Sequence, residues 1–138
     1  MSLFLFMLGA LFVVIGVIWW RHRTQLAKHQ GINRIQFVEH FRCLGIAEVV
    51  SGAVYDHFAL MPGVSGFQPA PTDSFEGTFK MTGEDLDDEL EELLRKFGWE
   101  MPHSGVLKNW DGRLETLSEV VRWVDWIRTK QNPSVAGQ

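Results

Sequence analysis

The chain has 138 residues, of which 46% are hydrophobic and 22% charged, and its formal net charge is −4. That length allows one domain and an appendage. The acidic balance, with seven carboxylates in residues 84–92, disfavours nucleic acid as a partner, because phosphate binding needs a basic face. The single Cys43 agrees with a cytoplasmic location, since secreted domains more often carry paired cysteines.

The most distinctive feature is an apolar run from Leu3 to Trp20 that contains no charged residue. A helix of roughly 20 apolar residues crosses the bilayer core of about 30 Å, so the run predicts a transmembrane helix. The alternatives are a buried core helix and a cleaved signal peptide. Against the signal peptide, the charges follow the run, and Arg21-His22-Arg23 stands where a small-residue cleavage site would lie. Residues 1–23 are therefore predicted to be an anchor with its basic flank.

Charge also predicts the orientation of this anchor. Nothing positive precedes the run except the chain terminus, whereas Arg21, Arg23, Lys28 and Arg34 follow it. Because basic flanks tend to stay in the cytoplasm, we expect a single-pass protein of the cell inner membrane, with its N-terminus outside and its C-terminal domain inside. Its flank, which meets the interface and the anionic lipid heads, comprises Trp19, Trp20, Arg21 and Arg23.

Short periodic segments follow the anchor. Residues 24–34 read as a polar linker, and the alternative for Thr24 to Gly31 is a continuation of the membrane helix. Apolar residues at three-residue steps predict a helix ending near Gly45, and a second helix is predicted to run from Ile46 to Phe58 and to stop at Pro62-Gly63. Glycines and prolines mark residues 61–75 as a long loop. The apolar positions of the first helix are Ile35, Val38, Phe41 and Leu44, and those of the second include Val49, Val50, Ala53, Val54 and Phe58.

Two further helices carry start and stop signals. Thr82 with Asp85 resembles a capping box, and Gly98 is a plausible C-cap for the helix between them. After a predicted loop over residues 102–113, Thr116 with Glu119 opens a closing helix, and residues 131–138 read as a flexible tail. No segment shows the alternation of a strand, so the predicted class is all-α: one transmembrane helix plus a small four-helix domain over residues 35–130. The acidic helix has an apolar stripe of Leu86, Leu90, Leu93, Leu94 and Phe97.

The segment from Pro71 to Pro102, PTDSFEGTFKMTGEDLDDELEELLRKFGWEMP, resembles the middle of an acyl carrier protein. Ser74-Phe75 matches the family's Thr-Ser-Phe turn, residues 85–97 match its acidic helix, and Met101-Pro102 matches its Ile-Pro exit. Residues 116–124, TLSEVVRWV, are similar to the closing helix of a carrier, and residues 46–58 fit its first helix. The resemblance covers about the last two thirds of the chain and implies a four-helix acyl-carrier-like bundle.

The chain departs from this family at the position that carries the chemistry. The carrier serine that takes the phosphopantetheine arm falls at Gly83, and Thr82 replaces the aspartate before it. Glycine has no oxygen to esterify, so the resemblance implies no cofactor at this position. The sequence around Gly83 is similar to an uncharacterised group of bacterial acyl-carrier-like domains, which carry a glycine followed by acids.

A docking surface is the site that the sequence suggests best. Carriers present the acidic helix to basic patches on their partners, and exposed tryptophans are typical interface anchors. The alternatives are a solvated helix face for the acids and core packing for the tryptophans. The predicted partner-binding residues are Glu84, Asp87, Asp88, Glu91, Trp123 and Trp126.

No catalytic, cofactor or metal site is predicted. The five histidines show no metal-ligand spacing, and His57 lies beside Asp56 incidentally, because adjacent helical residues point in different directions. The favoured function is a non-catalytic subunit or adaptor of a membrane protein complex, acting through protein–protein contacts and bound to the lipid bilayer by its helix. One alternative is a functional acyl carrier that is modified at another serine, most plausibly Ser74, and serves a membrane enzyme. A regulatory or immunity-type membrane protein is a third class.

Overall fold

The computed structural model describes residues 2–131, and the regular structure of these residues is helical. The six helices confirm the all-α prediction; among the described residues the one β feature is an isolated bridge between Ser74 and Thr116. Most of the predicted flexible tail, residues 132–138, lies outside the described part of the chain. The helices are α1 (Ser2–Ala27), α2 (Arg34–Arg42), α3 (Glu48–Leu60), α4 (Gly83–Lys96), α5 (Ser104–Leu107) and α6 (Leu117–Gln131).

Helix α1 is long and apolar enough to cross a membrane, and none of its apolar window is buried against the rest of the chain. The alternative of a buried core helix is therefore excluded. Its 26 residues correspond to about 39 Å at 1.5 Å per residue, which exceeds a bilayer core of about 30 Å by roughly two turns. The excess corresponds to the polar C-terminal turns from Arg21 to Ala27.

The domain packs around α3, which contacts α2, α4 and α6. The predicted stripe of α3 is confirmed at Val50, Val54 and Phe58, whereas Val49 is exposed. In α2 the predicted stripe is confirmed at Val38 and Phe41, but Ile35 is 80% exposed and Leu44, beyond the end of the helix, is also exposed. Phe37, which the pattern did not include, is fully buried. Residues 37, 38 and 41 share the face that meets α3, and Ile35 lies about 120° from residue 41 and about 160° from residue 37 around the helix, at 100° per residue. The largest fully buried side chains also include Phe41, Leu90, Leu93, Leu94, Leu117, Val120, Trp123 and Ile127.

The ends of α4 are built as the sequence predicts. The Asp85 carboxylate accepts hydrogen bonds from the Thr82 backbone N–H (3.0 Å) and hydroxyl (2.8 Å), which fixes the first turn. At the other end Gly98 has φ +73°. The Gly98 N–H donates to the Arg95 carbonyl, and the Trp99 N–H donates to the Leu94 carbonyl. This is a Schellman motif, which a glycine favours because it has no Cβ in the left-handed region.

The segment between α4 and α6 differs from its prediction as a loop. It contains α5, a single turn of four residues that is too short to produce a periodic apolar pattern. The start of α6 follows the prediction, since the Glu119 carboxylate accepts from the Thr116 N–H at 2.9 Å.

The predicted linker, residues 24–34, is instead ordered against the domain. Helix α1 continues to Ala27, and Leu26 on its last turn is buried. His29 Nε2 lies 2.9 Å from the Asp73 carboxylate, and the Tyr55 hydroxyl donates to the Ile32 carbonyl at 3.0 Å. These contacts, which we call the junction, join the anchor to the loop after α3 and to α3 itself. The linker is thus fixed to the domain at several points instead of forming a free tether.

Candidate docking surface and the first turn of α4

Four exposed carboxylates form one side of α4, and we call Glu84, Asp87, Asp88 and Glu91 the acidic face. They point outward because the leucines of the same helix point into the core. Glu91 pairs with Arg95 at 3.3 Å, but both side chains are exposed, so this ion pair contributes little to stability. No basic side chain of residues 2–131 pairs with the other three. The acidic face therefore carries uncompensated negative charge.

Two other acids of the same run have local roles. Hydrogen bonds from the backbone and hydroxyl of Thr82 lower the pKa of Asp85, because they stabilise the charged carboxylate. Glu89 turns toward α3 and contacts His57. The acidic run is therefore divided between surface charge and structural contacts, which sequence alone does not separate.

His57 is the centre of a buried network that the sequence did not reveal. Its side chain is 4% exposed, with Nε2 2.7 Å from a Glu89 carboxylate oxygen and Nδ1 2.8 Å from Lys96 Nζ. Because an ammonium can only donate, Nδ1 accepts and Nε2–H donates. Both ring nitrogens are engaged, so neither is free to act as a general base, and the network joins α3 to α4. Asp56 pairs with Arg34 at 2.8 Å instead, as expected for adjacent residues that point in different directions.

An open cavity of about 580 Å³ lies at the first turn of α4. Gly83, the position of the carrier serine in the resemblance, lines it together with Ser74 and Lys80. A Cβ at Gly83 would meet no atom within 4 Å, so packing does not require a glycine here. The cavity could hold a side chain at position 83, but glycine supplies no hydroxyl at that position.

Ser74 has a structural role in the turn that precedes this cavity. Its Oγ accepts a hydrogen bond from the Gly77 N–H at 2.9 Å, and the Ser74 backbone forms an isolated β-bridge with Thr116. The side chain is half-buried. These contacts match the interpretation of Ser74 as a turn residue, while its position on the cavity leaves its hydroxyl next to the start of α4.

The two predicted tryptophans lie in different environments. Trp123 is 1% exposed and belongs to the core, so placing it on a docking surface was wrong. The reason is helical geometry: residue 123 is one turn from both Val120 and Ile127, which are also buried. Trp126 is half-buried, packs against Trp110 with ring centroids 5.6 Å apart, and lines a separate cavity that none of the acidic face lines.

The predicted membrane flank is exposed at Trp19, Trp20 and Arg21. Arg23 has two partners: its guanidinium lies 4.6 Å from the centroid of the Trp19 ring and donates to the Gly63 carbonyl at 3.5 Å. It therefore contributes to the junction as well as to the basic flank.

Within residues 2–131 no group of three or more His, Cys, Asp or Glu side chains is arranged to hold a metal ion. Comparison with known proteins gives no relative: no protein-family model, no curated protein and no solved structure matches the chain.

Proposed function

We propose that the chain is a non-catalytic, membrane-anchored subunit or adaptor whose acyl-carrier-like domain docks onto a basic surface of a membrane protein complex. The observation that carries this proposal is the acidic face of α4, which is exposed and largely without basic partners. Complementary charge speeds and orients docking even where it adds little affinity.

The anchor gives this surface its location. A domain confined to the membrane meets a membrane partner at a raised effective concentration, so a weak electrostatic contact is sufficient. The basic residues after the apolar run support a location of the domain on the cytoplasmic side of the inner membrane. Burial of Leu26 and the bond from Arg23 to Gly63 favour a helix that is retained with the domain over a cleaved signal peptide.

The order of the helices supports the acyl-carrier part of the proposal. The elements follow the order of a carrier: α3 is the first helix, a long loop leads to the acidic helix α4, α5 is a short turn, and α6 is the closing helix. Gly83, at the first turn of the acidic helix, removes the hydroxyl that a carrier modifies. The domain would thus retain the carrier's recognition helix without its reactive group.

The test is co-purification from native membranes with gentle extraction, followed by native mass spectrometry. The variant Asp87→Lys/Asp88→Lys/Glu91→Lys reverses three charges on the acidic face. A control, Glu76→Lys/Glu100→Lys/Asp111→Lys, changes the net charge equally at exposed positions elsewhere. The proposal predicts that membrane subunits travel with the wild type and the control but not with the acidic-face variant. If both variants retain the membrane subunits equally, or lose them equally, the acidic face is not the docking surface.

A second candidate, a functional carrier, is favoured by one observation: Ser74 lines the cavity at the first turn of α4. It predicts a covalent phosphopantetheine on the Ser74 oxygen. The intact mass of the wild type and of Ser74→Ala decides between the two. An increment of that size that the variant lacks makes the chain a carrier, and an unmodified wild type eliminates this candidate. An unmodified chain bound to one soluble partner would instead indicate the regulatory class.

A further inference from the structure

We propose that the groove between α1 and Lys80 binds one anionic phospholipid, with its phosphate at the cationic rim and an acyl chain along α1. The groove has a volume of about 630 Å³ and lies where the anchor meets the domain. This site is independent of the protein partner proposed above. Its residues are Ile15, Ile18, Trp19, Arg21, His22 and Gln25 of α1, with Lys80 from the loop before α4.

One face of α1 supplies most of the groove. Ile15, Ile18, His22 and Gln25 follow steps of three, four and three residues, which place them along one side of a helix. This side changes from aliphatic to polar toward the domain. Ile15 and Arg21 are separated by about 9 Å along the axis. The groove therefore matches an amphiphile that lies parallel to α1 with its polar end toward the domain.

The polar end of the groove has the charge that a phosphate needs. Arg21 and Lys80 line it, and the His22 imidazole adds a ring nitrogen that can donate a hydrogen bond. No carboxylate within residues 2–131 forms an ion pair with any of the three. An anionic headgroup would supply the missing counter-charge, whereas a zwitterionic one carries its own cation.

Lys80 has an unusual backbone that points to the same site. Its φ is +55°, and it is the one non-glycine residue within 2–131 with positive φ. The left-handed region is unfavourable for a residue with a Cβ, and glycine or asparagine would occupy it more readily. Such an outlier motivates a functional hypothesis. The lysine is held at the groove although the local fold would prefer a smaller residue.

A lipid is favoured over a soluble ligand because the groove includes the apolar run. Ile15 and Ile18 lie within the segment that is apolar enough to span a membrane, where lipid chains surround the helix. A lysine ammonium acts on phosphate as a compact point charge, and each basic residue near an anionic surface contributes about 1 kcal/mol, or roughly fivefold in affinity.

The test uses the full-length chain in nanodiscs that contain equal amounts of phosphatidylglycerol and phosphatidylcholine, with retained lipids counted by native mass spectrometry. We expect the wild type to retain one phosphatidylglycerol preferentially. Lys80→Gln should lower the ratio of retained phosphatidylglycerol to phosphatidylcholine about fivefold, and Lys80→Arg should preserve it. The matched control is Lys28→Gln, since Lys28 is exposed just beyond α1 and does not line the groove.

Equal effects of Lys28→Gln and Lys80→Gln would overturn the proposal, because they would indicate diffuse attraction to the membrane surface. So would a wild type without preference for phosphatidylglycerol. Lys80→Gly guards against misfolding: it removes the ammonium and relieves the positive φ, so it should lower the ratio of retained phosphatidylglycerol to phosphatidylcholine as Lys80→Gln does, while the domain stays folded. A photo-crosslinker at Ile18 must give a lipid adduct; an adduct with protein alone would show that a partner helix fills the groove.

Discussion

The junction between α1 and the domain depends on one buried carboxylate, Asp73. Its oxygens accept from His29 Nε2 at 2.9 Å, from the Ala70 N–H at 2.7 Å and, more weakly, from the Thr78 hydroxyl at 3.5 Å. The side chain is 6% exposed, so water does not replace these partners freely. We predict that removing this carboxylate opens the junction while α1 and the helical domain stay folded.

The expected loss of stability follows from the two short hydrogen bonds to Asp73, from His29 and from the Ala70 N–H. Hydrogen bonds to a charged group contribute about 1.5–3 kcal/mol each, so at the lower limit Asp73→Ala should cost about 3 kcal/mol. Asp73→Asn keeps the shape but loses the charge, which roughly halves the strength of each bond and gives about 1.5 kcal/mol. Asp111→Ala, at an exposed position, is the control and should change stability by less than about 0.5 kcal/mol.

Hydrogen exchange in micelles measures this free energy where it acts. For Asp73→Ala, protection of the Ala70 amide should fall about a hundredfold, since about 1.4 kcal/mol corresponds to a factor of ten. The single cysteine gives a second readout, because Cys43 is exposed and can carry a spin label without background. Its distance distribution to labelled lipid headgroups should broaden in Asp73→Ala and remain narrow in Asp111→Ala.

A double-mutant cycle tests the pairing itself. His29→Ala removes one bond to Asp73 and the stacking of His29 on Phe67, whose centroids are 5.2 Å apart. The coupling between His29→Ala and Asp73→Ala should be about 1.5 kcal/mol. A coupling near zero, or unchanged Ala70 protection in Asp73→Ala, would refute the argument that this carboxylate holds the anchor against the domain.

Two further predictions concern the ends of α4. Gly98→Ala should lower the free energy of unfolding by about 1–2 kcal/mol, because φ is +73° and a Cβ there meets no atom, so the cost is backbone strain alone. The control, Gly105→Ala, is at a position without positive φ and should not destabilise the domain. Equal effects of the two variants in urea unfolding would contradict the Schellman motif at Gly98. The folded pKa of Asp85 lies below its ordinary value of 3.8, so its contribution to stability is complete above that value and is lost as pH falls through the folded pKa. Asp85→Asn should therefore flatten the acid side of the stability–pH curve, and an unchanged curve would argue against the capping role of Asp85.

The parts of the fold that were predictable are those with local causes. The apolar run, the Thr82–Asp85 cap and the Gly98 stop each act within a few residues of sequence, and the structure has all three. The leucine stripe of α4 was predictable for the same reason, since it is long and strongly periodic. The outward acidic face follows directly from that stripe.

The parts that were not predictable depend on contacts between distant segments. His57 meets Glu89 and Lys96 only because α3 packs against α4, and no pattern within either helix indicates this network. The burial of Trp123 is an intermediate case, because its spacing from Val120 and Ile127 already indicated the core face. The continuation of α1 to Ala27 was one of two interpretations of the linker, but its packing against the domain could not be deduced, since a polar composition is also typical of free tethers.

The shared position of Lys80 connects the two proposed surfaces. Lys80 lines both the groove beside α1 and the cavity at the first turn of α4, so α4 begins next to the site proposed for a lipid. Helix α4 has 14 residues and is about 21 Å long, so every residue of the acidic face lies within that distance of the first turn of α4. Under the two proposals, a partner that docks there would present its basic surface close to the membrane. This favours a membrane-embedded subunit over a soluble protein, and it explains why a junction that fixes the domain against α1 would matter for docking.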